Sequence, residues 1–545
     1  WDGRVEIVAL SGGTPAAIRT ALTPFKAPLD SAELRKLAAM SRRDFQAAHA
    51  CRLVFVVESG KTDVAALAAA ADAKLSATPI PERFALPDGA WYETGTAVAP
   101  LGVVFPGQGA QYVDMGRDLC CLVPETFDAV AKADVTLGEL IDGKRLGELT
   151  YPPVAFDEDA KKAQEDALRD TRVAQPAIGA VSIGSFRALE KFGVRPAGLI
   201  GHSFGELTAL CAAGAYDDET LFRLARTRGE LMATGAGDRG GMIAVSLSAA
   251  EAAKVIADEK LDLIIANENA PAQMVLSGST AEIRRAAEIF KARKIRATVL
   301  QVAGAFHSRF VADAAVPFRT AVAGAALKPP AIPVFANTTG APYPTDVAAI
   351  TDLLGNQLAN PVRFITGIEA MYASGIRTFV EVGPGAKMSG LVKSILGDRP
   401  FTSIGLDAGA GKRPGSVDLA RTIAMCAALG HPVRLALWEN GEETLAQAAS
   451  AKKPALAIQV CGANYRTPRP PRVKKQFPAK PATAPAAAPQ PARPAPVAMA
   501  PAPAQAAAPM PTPQAQPLQT PPRAAVAAPG AARDTIVALQ QLQIQ

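Results

Sequence analysis

The pentapeptide Gly201-His202-Ser203-Phe204-Gly205 constrains the fold of this chain more than any other stretch. An apolar run, Ala197 to Ile200, precedes it and is long enough for one buried strand. Glu206 to Ala213 follows and reads as a helix closed by Gly214. A Gly-x-Ser-x-Gly between a strand and a helix has the form of a nucleophile elbow. The glycines allow strand and helix backbones to approach where a side chain would clash. The serine is thereby held on a tight turn at a helix N-terminus, which favours negative charge. A Gly/Ser turn without chemical consequence is the competing reading, and the flanking strand and helix favour catalysis over it.

A serine hydroxyl is a weak nucleophile at neutral pH and needs a base. The chain has four histidines, His49, His202, His307 and His431. His202 adjoins Ser203 inside the elbow, a poor geometry for deprotonating it. His49 belongs to an N-terminal segment and His431 to a region past the main domain. His307, in Gly304-Ala305-Phe306-His307-Ser308, is the candidate base. The alternative for any lone histidine is a ring satisfied by backbone groups.

A length of 545 residues implies two to four domains. The net charge of +6 is small for that length and forms no basic block, which argues against nucleic-acid binding. Six cysteines are scattered without a CxxC pair, so neither a disulfide framework nor a zinc site is expected, and a reducing cytoplasm fits. No apolar run approaches the length of a membrane span. The start at Trp1-Asp2-Gly3, without Met or a signal peptide, suggests a piece of a longer polypeptide.

Along the chain, residues 1–95 read as a small β-α-α-β-α module, with strands at Val5–Leu10 and Leu53–Val57 and helices over 31–50 and 64–75. Gly60-Lys61-Thr62 resembles half a phosphate loop, but the first glycine of that motif falls on Phe55. A buried strand, Leu101 to Phe105, leads into Pro106-Gly107-Gln108-Gly109, a turn where α/β proteins place ligands and where Gln108 can offer an amide donor. An ordinary loop is the alternative. Helices over 174–192 and 217–234 flank the elbow, the second carrying Arg223, Arg226 and Arg228. Between elbow and His307 the pattern becomes β-α-β-β-α-β over about 236–303, a ferredoxin-like signature. The expected fold is therefore α/β: a hydrolase-like large subdomain with an inserted ferredoxin-like small one, and the site in the cleft between them. Residues 396–477 add a short strand-helix piece. Residues 478–533, almost wholly Pro, Ala and Gln, read as a disordered linker, and 534–545 as the start of a further element.

Four motifs, Phe105-Pro-Gly-Gln-Gly-Ala-Gln111, Gly201-His-Ser-Phe-Gly-Glu206, Gly304-Ala-Phe-His307 and Glu381-Val-Gly-Pro-Gly385, stand in the order and spacing of one family. Over about 96–395 the chain resembles the malonyl-CoA:acyl-carrier-protein transacylase family, the acyltransferases of fatty acid and polyketide synthases. Residues 1–95 are similar to the linker module between ketosynthase and acyltransferase. Asn337-Thr-Thr-Gly340 and Cys461-Gly-Ala-Asn-Tyr465 resemble the acyltransferase region of polyunsaturated-fatty-acid and related iterative synthases.

The resemblance implies a malonyl transferase. Ser203 would carry the acyl ester and His307 would be its base, oriented by the backbone carbonyl of Gln357 rather than by an acid. Gln108 and the N–H of Phe204 would form the oxyanion hole. Arg228 would grip the free carboxylate of the extender, as a guanidinium fork does and a lysine does not; a solvated helix face is the alternative for that residue. Phe306 would fill the space beside the acyl α-carbon and favour malonyl over methylmalonyl, with Phe204 likewise bulky. Gly304-Ala305 departs from the His-Ala pair of many family members. The resemblance implies no bound cofactor and no metal. The substrate is malonyl-CoA, and the phosphopantetheine belongs to a partner acyl carrier protein. A ketosynthase domain of the same polypeptide is the other expected partner. Two further readings stay open: an esterase or thioesterase using the same pair with water, and an inactive segment docking its synthase neighbours.

Overall fold

The computed structural model describes residues 3–234, 238–302 and 304–438, which lie in one compact unit. The expected linker 478–533, the segment 534–545 and Cys461–Tyr465 fall outside the described residues.

The N-terminal module runs β1 (Val5–Gly12), α1 (Pro15–Leu22), α2 (Ser31–Asp44), β2 (Cys51–Glu58), α3 (Val64–Leu75), β3 (Arg83–Leu86) and β4 (Ala90–Thr94). Its helices start where side-chain oxygens of Thr14, Asp30 and Asp63 accept first-turn N–H groups. The antiparallel sheet has the order β1-β2-β4-β3. Two features depart from expectation. The helix expected over 31–50 ends at Asp44, where Phe45 turns extended. The β3–β4 hairpin was not expected; Pro87-Asp88-Gly89 makes its turn, with Gly89 at φ +96°.

The large body opens with β5 (Leu101–Phe105). Helices over Arg117–Arg169, in a stretch with no assignment from sequence, lead to α4 (Thr171–Lys191), β6 (Gly198–Gly201), α5 (Gly205–Ala212) and α6 (Asp218–Ala233). The insertion follows as β7 (Gly241–Val245), α7 (Ala249–Asp258), β8 (Leu263–Ala270), β9 (Gln273–Gly278), α8 (Thr280–Ala292) and β10 (Ala297–Val299). Its antiparallel order, β8-β9-β7-β10, is that of a ferredoxin-like sheet. The chain then returns with β11 (Val334–Phe335), β12 (Thr378–Glu381), α9 (Lys387–Leu396), β13 (Thr402–Gly405) and α10 (Gly415–Ala428).

The large sheet is parallel, in the order β11-β6-β5-β12-β13. Every residue of β5, β6 and β12 is buried, as in a sheet covered on both faces, which is why these strands read as unbroken apolar runs. Strand β13 lies past the expected end of the domain at 395 yet forms the edge of this sheet. Helix α10 then packs back on β1 and β2. Val5, Ile7, Ala9, Val54 and Val56 join Val417, Leu419 and Ile423 in one core, while Val8, Leu10, Leu53, Phe55 and Val57 face the module's own helices. Buried Arg52 ties the joint. Its guanidinium donates to Ala428 O at 2.8 Å and Gly95 O at 2.8 Å. Trp438, fully buried, donates from Nε1 to Val5 O at 3.0 Å.

Candidate active site

The elbow is built by exclusion of side chains. A Cβ on Gly201 would lie 1.9 Å from the carbonyl carbon of Gly205, and one on Gly205 would lie 2.4 Å from Phe105 O. The close crossing of β6 into α5 therefore requires glycine at both ends. Ser203 sits at φ +50°, in the left-handed region that a non-glycine residue occupies only under constraint. The constraint is Asn337, which accepts the Ser203 N–H on Oδ1 at 2.7 Å and donates from Nδ2 to Gly201 O at 2.6 Å.

Ser203 Oγ lies 2.8 Å from His307 Nε2. His307 Nδ1 faces two backbone carbonyls, Gln357 O at 3.2 Å and Asn360 O at 3.1 Å. Carbonyls only accept, so Nδ1 carries the proton and Nε2 keeps its lone pair for the serine hydroxyl. Asn360 thus shares the orienting role expected of Gln357 alone. His307 itself sits at φ +57°, with its N–H on Leu358 O at 3.0 Å. Burial, then the nearby Arg228 charge, pushes its pKa down to about 3, so the ring is a neutral base throughout the physiological range. The other histidines are engaged elsewhere: His202 Nε2 with Asn269 Oδ1 at 2.7 Å, His49 with Ser11, and His431 with Thr378.

Arg228 is 1% exposed, which removes the solvated-face alternative. Its Nη2 lies 3.3 Å from Ser203 Oγ and 3.0 Å from Gln357 Oε1, and its Nη1 donates to Gln175 Oε1 at 2.9 Å. Burial pushes its pKa down to about 9, against the opposing field of Glu206, and it stays protonated at neutral pH. A buried cation with neutral partners beside a nucleophile is poised for an incoming anion.

Gln108, Ser203, Arg228, Met232, Val302 and Phe306 line one small cavity. Gln108 Oε1 accepts the Thr171 hydroxyl at 2.8 Å, which leaves its amide nitrogen as the donor free to turn toward the cavity. The N–H of Phe204 belongs to the first turn of α5 and is not consumed by the helix ladder. The ring of Phe204 corrects one expectation. It is turned into the core, where a Cβ on Gly179 would meet it at 3.1 Å, and it does not line the cavity. Close helix packing against Gly179 takes up its bulk, so Phe204 brings only its backbone to the site. Phe306 does line it, with its carbonyl held by Ser277 Oγ at 2.7 Å. At the departure from the His-Ala pair, a Cβ on Gly304 would sit 3.2 Å from Arg239 O, so the larger residue has little room there.

The chain contains the acyl transferase domain over residues 103–405. It belongs to that family. Over 305 residues it is 35% identical to a malonyl CoA-acyl carrier protein transacylase of Bacillus subtilis, matching 55% of this chain and 91% of that one. It is also similar to one polypeptide of the polyunsaturated fatty acid synthase of a Thraustochytrium species, at 27% identity over 423 residues, which is 75% of this chain and 15% of that polypeptide. Among solved structures, the acyltransferase domain of an iterative polyketide synthase in enediyne biosynthesis matches with a TM-score of 0.61 and 28% identity, covering 80% of this chain and all of that one. The α/β architecture with its parallel sheet and small inserted subdomain is thus that of an acyltransferase.

Residues that sequence reasoning did not single out complete the site: Glu206, Asn337, Tyr343, Asn360, Thr171, Gln175 and Met232. Glu206 had one visible cue, its position directly after the elbow, and Asn337 another, as the head of Asn337-Thr-Thr-Gly340. Among the described residues no helix is long and apolar enough to cross a membrane.

Proposed function

We propose that this acyltransferase moves a malonyl unit from malonyl-CoA, through an ester on Ser203, to the phosphopantetheine thiol of an acyl carrier protein. One observation carries the reading: Ser203, paired with His307 at 2.8 Å, lines one small cavity with a guanidinium 3.3 Å from the nucleophile. An acyl group whose carbonyl reaches Ser203 Oγ and whose tail bears a carboxylate satisfies both ends.

In the first half-reaction His307 Nε2 takes the hydroxyl proton as Ser203 Oγ attacks the thioester carbonyl. The oxyanion is met by the Phe204 N–H and the Gln108 amide. Collapse breaks the C–S bond, and the proton on His307 passes to the departing CoA sulfur. In the second, His307 takes the proton of the carrier's thiol, the thiolate attacks the Ser203 ester, and the proton returns to Oγ. Arg228 holds the carboxylate through both steps. The protein's own residues supply every group these steps use; the pantetheine arrives with the partners. Phe306 sets the space beside the α-carbon, so malonyl is preferred to methylmalonyl. The setting that fits is a cytoplasmic synthase, with a ketosynthase before residues 1–95 and a carrier beyond the Pro/Ala-rich 478–533.

The test is intact-protein mass after exposure to malonyl-CoA. A malonyl adduct is expected, absent from Ser203→Ala. An adduct of undiminished yield in that variant, or hydrolysis outpacing transfer to a carrier protein, overturns the reading.

A further inference from the structure

Glu206 is buried, lines no part of the cavity and has no part in the steps above. Its Oε1 accepts the Tyr343 hydroxyl at 2.7 Å and the Asn337 N–H at 2.9 Å. Its Oε2 accepts Gln357 Nε2 at 2.9 Å. Three donors converge on it and favour the ionised, acceptor-only form, while burial raises its pKa to about 7, so it is a carboxylate above neutral pH. The charged and titratable groups whose fields reach it are Arg228, Tyr343 and Tyr216; burial holds both phenols neutral. Arg228 is therefore its counter-charge, reached through one intervening side chain.

That side chain is Gln357. Its Nε2 also donates to Ser203 O at 2.7 Å, its Oε1 accepts Arg228 Nη2 at 3.0 Å, and its backbone carbonyl accepts from His307 Nδ1. An amide has two faces. Reversed, this one would set its oxygen against the Glu206 carboxylate and the Ser203 carbonyl and its NH₂ against the guanidinium, acceptor on acceptor and donor on donor. One residue thus touches serine, base and carboxylate clamp, and its orientation is set jointly by Glu206 Oε2 and the Ser203 carbonyl.

We infer that Glu206 is a positioning residue for substrate choice: with the Ser203 carbonyl it holds the Gln357 amide in the orientation that presents an acceptor to Arg228, and so keeps the clamp where an extender's carboxylate must dock. The inference rests on the malonyl-transfer reading. Glu206→Gln keeps the volume but cannot accept from all three donors. The Asn337 N–H is fixed in the backbone, so the new amide oxygen stays on that side and the new NH₂ faces Gln357. Gln357 is then opposed by a donor on one side while the Ser203 carbonyl still draws its NH₂ on the other, so its amide is no longer held firmly against Arg228.

The measurement is the second-order rate of Ser203 acylation by malonyl-CoA and by acetyl-CoA, read as intact mass, in wild type and variants. In Glu206→Gln the malonyl-to-acetyl ratio should fall by roughly tenfold, the usual consequence of one mispaired buried hydrogen bond to a charge, while the acetyl rate changes far less. Equal losses for both substrates would mean a purely structural role and overturn the inference. Gln357→Leu removes the amide and keeps the backbone carbonyl on His307. It should lose the ratio in the same way, and decides the matter if Glu206→Gln does not fold; a wild-type ratio in it overturns the inference. A wild type that forms no malonyl ester defeats the functional reading itself, whereas a normal wild type with unchanged variant ratios defeats this inference alone.

Discussion

The depressed pKa of His307 can be tested apart from substrate recognition. An ordinary histidine has a pKa near 6.5; here burial, assisted by Arg228, brings it to about 3. That difference of about 3.5 pH units corresponds to roughly 5 kcal/mol against protonating the ring. The sign follows directly: a base with a lowered pKa stays neutral, and competent, further into acid. At pH 5 an unperturbed imidazole would be about 3% neutral, and a rate that depends on it would fall about 30-fold from its value at pH 8. With a pKa of about 3 the rate stays flat over that range. Phenylmethanesulfonyl fluoride is a suitable probe, because it sulfonylates an activated serine and carries no carboxylate for Arg228 to select. The rate of Ser203 modification, corrected for reagent hydrolysis, should be pH-independent from 8 to 5, with circular dichroism showing that the fold persists. Arg228→Ala removes the second cause and can only move an acid limb upward, leaving the larger effect of burial in place. A wild-type rate that falls tenfold per pH unit below about 6.5 would refute the reasoning, since it would place the base in water-like surroundings.

Three further outcomes are expected. Arg228→Ala should slow acylation by malonyl-CoA and narrow its advantage over acetyl-CoA by roughly 1–3 kcal/mol, the value of a hydrogen bond to a charged group; competition kinetics with an unchanged ratio would sink the carboxylate clamp. Phe306→Ser should weaken discrimination against methylmalonyl-CoA, which is worth about 1–3 kcal/mol for one methyl group, and a selectivity equal to wild type would show that another wall sets the pocket. Trp438→Ala should cost about 3–5 kcal/mol of stability by emptying a fully buried site where the C-terminal return meets β1; a melting temperature that does not move would mean the return is not part of the cooperative unit.

The parts of this molecule legible in its sequence are those written in spacing. Gly201 and Gly205 announce the elbow because no other residue fits between two backbones about 2 Å from a would-be Cβ. The β-α-β-β-α-β run between Ser203 and His307 announces the insertion because each element's apolar period is intact. The β3–β4 hairpin stayed hidden for the opposite reason: its strands are short, four and five residues, and only three apolar residues in a row on each side of the turn are too few to show a period. Helix α10 was visible as a helix, but nothing in its own residues says that its apolar face belongs to β1 and β2, more than 350 positions earlier by the Arg52–Ala428 contact. Burial on both faces of β2 was the cue, and it needs a partner for the second face that the module's own helices cannot supply.

The site divides along the same line. Ser203, His307 and Arg228 are residues whose chemistry is scarce or costly to bury, so their presence in order is informative. Glu206, Gln357 and Asn337 act by connecting groups 131 to 154 positions apart, and a connection has no period to read. Their necessity is nonetheless physical. Ser203 at φ +50° and His307 at φ +57° are both held in backbone conformations that cost energy unless surrounding bonds over-determine them. Asn337 fixes the first, and Gln357 and its neighbours fix the second. A carboxylate that holds both Asn337 and Gln357 therefore couples the two strained turns to the guanidinium between them, so its removal should be felt first in which acyl group is chosen and only then in whether the serine reacts.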